Sequence, residues 1–431
     1  MPMSQDFKDR LFPLLPEIVE HFGTPFHIYD EKGIMDTCDR LIAAFSGNGI
    51  NFQEFFAVKA NPNPDIMRIF RKYDFGFDCS SAPEIFLARR IGTPPKNIMF
   101  SSNNTKEKEF VEAMGGGGCI LNLDDIKLIP KVPNFPQLIS FRYNPGERRS
   151  GNSIIGDPVN SKYGVAHHQI ISAYKQAIKR GARKFGIHTM ICSNELNYKY
   201  MVETVQMLGE VIEMISKELG IRFDFLNMGG GLGIPYKPED EEIPIEAMAA
   251  EIRQCLDEFR NRNGYVPALF LESGRYMTGP HGVLVTTAIN RKDTYKKWVG
   301  VDASMSALMR PGIYWPDGGY HHISVVGPNG EKDSSRLEVV SIVGSLCENM
   351  DQFARDRGLP PINRDDMIIM HDTGAHGHAM GFTYNGRLRP QELLLRRDSS
   401  VELIRRHETP SDHFATLSFS PRSLIPEAVQ K

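Results

Sequence analysis

From about residue 51, short apolar runs rich in β-branched and aromatic residues alternate with longer segments whose apolar positions recur every three or four residues. The runs are NFQEFFAVK, FGFDCS, NIMFSS, CILNLD, QLISFRYN, FGIHTMI, FDFLNMG and ALFLES. Between them, APEIFLARRIG carries Pro83 at a first helical position, KEKEFVEAMGG closes on glycines, and MVETVQMLGEVIEMISKELG reads as a longer amphipathic helix. Eight such units predict a closed (β/α)8 TIM-like barrel, a fold that takes roughly 250 residues. A doubly wound open sheet is the competing arrangement. After about residue 280 the helical pattern fades. VLVTTAI, KWVGVDA, HHISVVG, RLEVVSIVG, DMIIMHD and ELLLRRD read as strands between Gly, Asp and Pro turns. They predict a second, C-terminal β-barrel or β-sandwich domain. TPFHIYD, residues 24–30, is placed to pair with that sheet. The expected division is therefore 31–280 for the barrel, and 1–30 with 281–431 for the β domain.

Active sites of such barrels lie at the C-terminal ends of the strands, and the conspicuous polar residues fall there in turn. They are Lys59, Asp78-Cys79-Ser80, Arg142-Tyr143-Asn144, His188 through Ser193, Gly229-Gly230-Gly231, and Glu272-Ser273-Gly274-Arg275. Lys59 ends an apolar run just before Asn61-Pro62-Asn63-Pro64. Partial burial there disfavours the ammonium form, leaving a neutral amine able to condense with an aldehyde cofactor. The plain alternative is a lysine snorkelling from a strand end. The glycine run lets backbone N–H groups approach a phosphate closely, and Arg275 adds a charge-assisted contact. No Lys-Ser/Thr follows the glycines, which argues against a nucleotide P-loop. A carboxylate such as Glu272, bonded to a pyridine nitrogen, keeps that ring protonated and hence a better electron sink. Its alternative is a surface carboxylate at a strand end.

Composition narrows the classes further. With 41% apolar residues, 24% charged residues and a net charge of −3, nothing in the balance points to nucleic acid. No apolar run approaches the roughly 18 residues that span a bilayer, and the N-terminus lacks the pattern of a secretory signal. The six cysteines are scattered without paired spacing, as expected of reduced thiols in a cytoplasm. His371, His376 and His378 lie close in sequence but lack companion metal-ligand spacing, so no metal site is expected. His167-His168 and His321-His322 read as surface or domain-junction residues.

The motifs FFAVKAN, GFDCSSAPE, NMGGGLG, ESGRYMTGP, MRPGIY, GSLCENMD and DTGAH…YNGRLRP follow one another in this order over residues 24–400. In that order they resemble the pyridoxal-phosphate decarboxylases of the alanine-racemase barrel type, above all the diaminopimelate decarboxylases. The resemblance implies that Lys59 carries pyridoxal 5′-phosphate covalently and that Asp78 and His188 belong to the cofactor pocket. It further implies that Ser193, Gly230, Gly231, Arg275 and His376 serve the phosphate, and that Glu272 meets the ring nitrogen. Arg310 and Tyr314, with Arg275 and Tyr384, are implied substrate contacts. Cys347 is the implied proton donor and Glu348 the contact for a distal amino group, both entering from the partner of an obligate homodimer. The implied reaction takes CO2 from meso-2,6-diaminopimelate to give L-lysine, the last step of lysine biosynthesis. A decarboxylase of ornithine, lysine or arginine, in either configuration, is the alternative. An amino-acid racemase and a catalytically inactive binding homologue are the more distant ones.

The chain departs from the family at three places. Met190 stands where the family has a histidine stacked on the cofactor ring, His376 replaces a phosphate-contacting tyrosine, and Ser273 replaces the proline of Glu-Pro-Gly-Arg. All three bear on the cofactor rather than on the reaction class.

Overall fold

The computed structural model describes residues 3–47, 49–152, 154–314, 319–418 and 420. The stretch 421–431, expected to belong to the β domain, lies outside the described residues. Two short helices, Gln5–Leu11 and Leu15–Phe22, precede strand β1, Phe26–Asp30. Nine strands follow: β2 (Phe52–Ala57), β3 (Gly76–Cys79), β4 (Ile98–Phe100), β5 (Ile120–Leu123), β6 (Leu138–Asn144), β7 (Val165–Ala166), β8 (Lys184–His188), β9 (Phe225–Asn227) and β10 (Ala268–Leu271). Eight of them close a ring in the order β2-β3-β4-β5-β6-β8-β9-β10 and back to β2, every pair parallel. The short β7 pairs only with β6. Each of the eight predicted runs is thus a barrel strand, and the open-sheet alternative falls away.

These strands are apolar throughout because both of their faces are covered. Outside, helices such as Tyr198–Leu219 and Ile245–Asn263 lay Leu208, Ile212, Met248 and Ile252 into the main core. Inside, Phe55, Met99, Ile120 and Phe225 form a separate apolar layer with Leu138 and Phe270. The Phe225 and Phe270 rings stack 4.4 Å apart. Glycine makes room for this layer: a Cβ at Gly186 would sit 2.0 Å from the Phe225 ring, and one at Gly76 2.4 Å from the Phe55 ring. The barrel is therefore packed with side chains below the strand ends, and only the mouth is left for chemistry.

The rest of the chain is mostly sheet: β11 (Gly282–Asp293), β12 (Lys297–Val301), β13 (Ile323–Gly327), β14 (Gly330–Glu331), β15 (Glu338–Val343), β16 (Gln352–Leu359), β17 (Met367–Met370), β18 (Gln391–Leu395) and β19 (Val401–Arg405). The order is β14-β13-β17-β11-β1-β18-β19, with β12 joining β11 to β15 and β16 on the far side of β15. The N-terminal β1 lies between β11, antiparallel, and β18, parallel. Phe7, Leu11, Leu15 and Ile18 of the leading helices pack on this sheet against Phe26, Ile28, Val283 and Leu393. Three strands of this sheet, β14, β16 and β19, fall outside the runs read from the sequence. All three pair on one side only, and β16 and β19 expose Asp356 and Glu402. Such polar patterns suit edge strands and hide them from a search for apolar runs.

Candidate active site

The strand ends and the C-terminal sheet enclose a cavity of about 220 Å³ at the barrel mouth. Lys59, Asp78, Ser193, Gly230, Gly231, Glu272, Arg275, Arg310, Tyr314 and His376 line it together, with Met190. Ten residues expected from the sequence, spread over more than three hundred positions, therefore meet in one place. Lys59 sits in a 3-10 turn, Val58–Ala60, directly after β2. Its expected burial does not hold. Val58 and Ala60 are buried, but the Lys59 side chain stands exposed because it projects into the open cavity rather than into the barrel wall.

Two buried carboxyls face that lysine in opposite states. Glu272 Oε2 lies 3.0 Å from His188 Nε2, and Oε1 accepts from Asn227 Nδ2 at 2.7 Å. Burial works against its charge, yet His188, Asn227 and Lys59 outweigh it and hold Glu272 below the ordinary carboxylate value. Asp78 has an oxygen, Oδ1, with no hydrogen-bond partner among the described residues. Burial and the nearby Glu272 charge push Asp78 well above its usual range, against the pull of Lys59. Two buried acids at close quarters do not both ionise, and the hydrogen bonds decide that Glu272 does.

His188 does not line the cavity. It stands behind Glu272, paired in register with Asn227 across β8 and β9. Asn227 was not singled out from the sequence, although it is the last residue of its strand. It also accepts from the Gly229 N–H at 2.9 Å, tying Glu272 to the glycine loop. That loop has no room for side chains. A Cβ would meet the Thr189 carbonyl at 2.1 Å from Gly229, the Glu272 carbonyl at 2.4 Å from Gly230, and Cys192 Sγ at 2.6 Å from Gly231. Gly229 and Gly231 also take φ of +72° and +106°, the left-handed region that favours glycine.

Two guanidiniums complete the wall. Arg275 Nη1 donates to the Tyr236 hydroxyl at 2.6 Å, while Arg310 lies over the Tyr236 ring with its carbon 3.6 Å from the centroid. Arg310 opens a short helix, Arg310–Ile313, and Tyr314 follows one turn on. Neither arginine joins an ion pair among the described residues, an uncommon state for buried charge. His376 is in the left-handed region at φ +57°, and its N–H donates to the Ala60 carbonyl at 2.8 Å. Burial, with Arg275, Lys59 and Arg310 nearby, keeps its imidazole neutral, far below its ordinary value. Tyr236, like Asn227, is a contributor that sequence reasoning missed. His321, read as a surface or domain-junction residue, is buried at the junction of the two domains.

Cys347, Glu348 and Tyr384 lie elsewhere. All three are exposed and none lines the cavity. They share one patch, since the Cys347 N–H donates to Asn385 Oδ1 at 2.7 Å.

Residues 34–279 match the family model described as the pyridoxal binding domain of the pyridoxal-dependent decarboxylases. The chain is 43% identical over 421 residues to Protein TabA of Pseudomonas amygdali pv. tabaci, covering 98% of this chain and 97% of that one. It is 36% identical over 402 residues to a diaminopimelate decarboxylase of Methanothermobacter thermautotrophicus, covering 92% of each. The crystal structure of diaminopimelate decarboxylase from M. jannaschii in co-complex with L-lysine matches with a TM-score of 0.83 at 30% identity, over 96% of this chain and 95% of that one.

Proposed function

Because the chain belongs to the pyridoxal-dependent decarboxylases, we propose that its substrate is meso-2,6-diaminopimelate and its products are L-lysine and CO2. The cofactor of this family is pyridoxal 5′-phosphate, and the cavity fits it. A primary amine, an ionised buried carboxylate and a glycine cradle that no Cβ could enter surround one space. Bound there, the cofactor supplies an aldehyde that captures amino groups and a protonated ring that accepts the electrons released with CO2. Lys59 would hold it covalently. Glu272, kept anionic by His188 and Asn227, would keep a proton on the ring nitrogen. Gly230, Gly231, Ser193, Arg275 and His376 would hold the phosphate, and the neutral Asp78 would add no second negative charge beside Glu272.

The observation that carries the choice of substrate is Arg310, a buried guanidinium in the same cavity that joins no ion pair among the described residues. A substrate with a second carboxylate supplies the missing anion, and Tyr314 stands beside it. Ornithine, lysine and arginine have no such group. Cys347, as proton donor, and Glu348, toward a distal amino group, act with Tyr384 at the cavity of a second copy, making the working unit a homodimer. Among the described residues no helix is long and apolar enough to cross a membrane. A second reading, another basic amino acid, draws on the higher identity to TabA and on Met190 in the cavity wall.

Assays of the purified, cofactor-loaded protein with meso-diaminopimelate, ornithine, lysine and arginine decide between them. The expected outcome is lysine from diaminopimelate with kcat/KM at least ~100-fold above the other three, since an unfilled buried arginine penalises them. Preference for ornithine would overturn the assignment.

A further inference from the structure

We infer that His321 is a positioning residue that orients the Arg310 guanidinium while leaving its charge free for a substrate carboxylate. The inference rests on the reading of Arg310 just given and adds the device that makes that reading work. His321 is fully enclosed. Its Nδ1 lies 2.7 Å from the His371 carbonyl oxygen, which can only accept, so Nδ1 carries the hydrogen. Its Nε2 lies 3.3 Å from Arg310 Nη1, which can only donate, so Nε2 offers its lone pair. The two neighbours thus select one neutral tautomer. Burial and the positive charges of Arg310, Arg357 and Arg275 act in the same direction, holding the ring well below its ordinary value.

Among the described residues, the other hydrogen-bond and ring partners of Arg310 are also neutral. Nη1 donates to the Tyr320 carbonyl at 2.9 Å, and the Tyr236 ring lies under the guanidinium. Asp372 is the acid whose field reaches Arg310, but burial pushes that carboxyl up to about 7 and no ion pair joins the two. Elsewhere buried acid and arginine do pair, as Glu392 does with Arg405. At Arg310 an imidazole stands where such a carboxylate would otherwise stand. An acid there would consume the charge; a neutral acceptor fixes the fork and leaves the charge for the ligand.

The sheet sets this geometry. β13 and β17 are antiparallel neighbours, and the ladder runs on through His371 N–H to the His322 carbonyl at 2.9 Å. His321 is thereby pinned two residues before the strand, with its ring edge-on to Tyr236 at 5.2 Å. The C-terminal sheet thus delivers the acceptor, and the barrel loop delivers the tyrosine.

Steady-state kinetics on meso-diaminopimelate with cofactor-loaded His321→Asp, His321→Ala, His321→Gln and Arg310→Met chains test this. Substitution by Asp is expected to raise KM at least ~10-fold with kcat and cofactor affinity within ~3-fold of the parent. Substitution by Ala, which frees the fork, raises KM ~3- to 10-fold. Gln, which can donate to His371 and accept from Arg310, stays within ~3-fold. In the Arg310→Met background, the Asp substitution adds nothing. If Arg310→Met leaves KM unchanged, the carboxylate reading of Arg310 is what fails. If Arg310→Met raises KM but neither Asp nor Ala at 321 does, the inference about His321 is wrong and the reading of Arg310 stands. Should the Asp variant not fold, the Ala and Gln pair decides: equal KM values for the two overturn the proposal.

Discussion

The cavity at the barrel mouth and the loop that carries Cys347 are built on opposite plans. In the cavity the charged groups Glu272 and Arg310 are enclosed, and hydrogen bonds and a ring contact hold them: Glu272 between His188 and Asn227, Arg310 between Tyr236, Tyr320 and His321. In the loop it is the backbone that is fixed. The Asp351 carboxylate takes the N–H of Leu346 at 2.7 Å and of Met305 at 2.6 Å, and Asn385 takes that of Cys347. The side chains of Cys347, Glu348 and Tyr384 are nonetheless exposed and lie outside that cavity. A braced backbone that displays exposed polar groups is suited to insertion elsewhere; a preorganised enclosure with an open mouth is suited to receive it. On the homodimer proposed above, the difference has a simple reading: each chain would contribute a cavity to one site and a loop to the other.

The sharpest way to break this comparison is to disable one region in each of two chains. Lys59→Ala is expected to lower turnover at least ~1000-fold, because no other lysine among the described residues lines the cavity. The fold should survive, since the side chain is exposed. Cys347→Ala should also be severely impaired. Mixed and allowed to exchange subunits, the two variants should recover about one quarter of parental activity, because half of the twofold dimers would be mixed and each would contain one intact site. If mixed dimers form and stay inactive, the loop and the cavity do not complete each other across subunits.

The smaller effect of Glu348→Gln sharpens the loop's side of the comparison. Glu348 Oε1 accepts from the Met350 N–H at 3.2 Å, a contact that an amide oxygen preserves. The loop should therefore keep its shape and lose only a charge. A charge-assisted contact to the distal amino group predicts a fall in kcat/KM for diaminopimelate of about 10- to 100-fold, carried mostly by KM. An unchanged KM would remove Glu348 from substrate recognition.

The two regions were also unequally legible in the sequence. The barrel could be read because parallel strands covered on both faces must be apolar runs, and each ends on polar residues that have no packing role there. Lys59, Asp78, Glu272 and the glycines were visible for that reason. Asn227, Tyr236 and His321 were not, because their importance lies in contacts between distant segments. Nothing local distinguishes Asn227 from any other strand-end amide until β8 sets His188 beside it. Likewise His321 is one of an ordinary histidine pair until the β13–β17 ladder brings it to Arg310. The expectation that Lys59 is half-buried failed for a related reason: sequence shows where a strand ends but not the size of the space beyond it.

The least effect on turnover, and the one that isolates the enclosed region, comes from Glu54 on β2. It is fully buried in the barrel wall, where Oε1 accepts from the Ser273 N–H at 2.6 Å and Oε2 has no partner among the described residues. Burial pushes its carboxyl up to about 8, and the nearby Glu272 charge adds to that. Below the ordinary carboxylate range, near 4.5, the folded and unfolded chains both hold this proton, and the group is neutral to stability. As pH rises from there to about 8, the unfolded chain releases the proton while the folded chain keeps it, so the folded state loses ground, and above 8 the penalty is complete. Glu54→Gln keeps an acceptor for Ser273 and removes the titration. The variant should therefore match the parent near pH 4.5 and exceed it progressively up to pH 9, by on the order of 3–5 kcal/mol in denaturant unfolding. Cys347→Ala, at an exposed thiol, should shift stability by under ~0.5 kcal/mol. A Glu54→Gln difference that stays flat from pH 5 to pH 9 would mean that the carboxyl titrates normally and that burial beside Glu272 does not hold its proton.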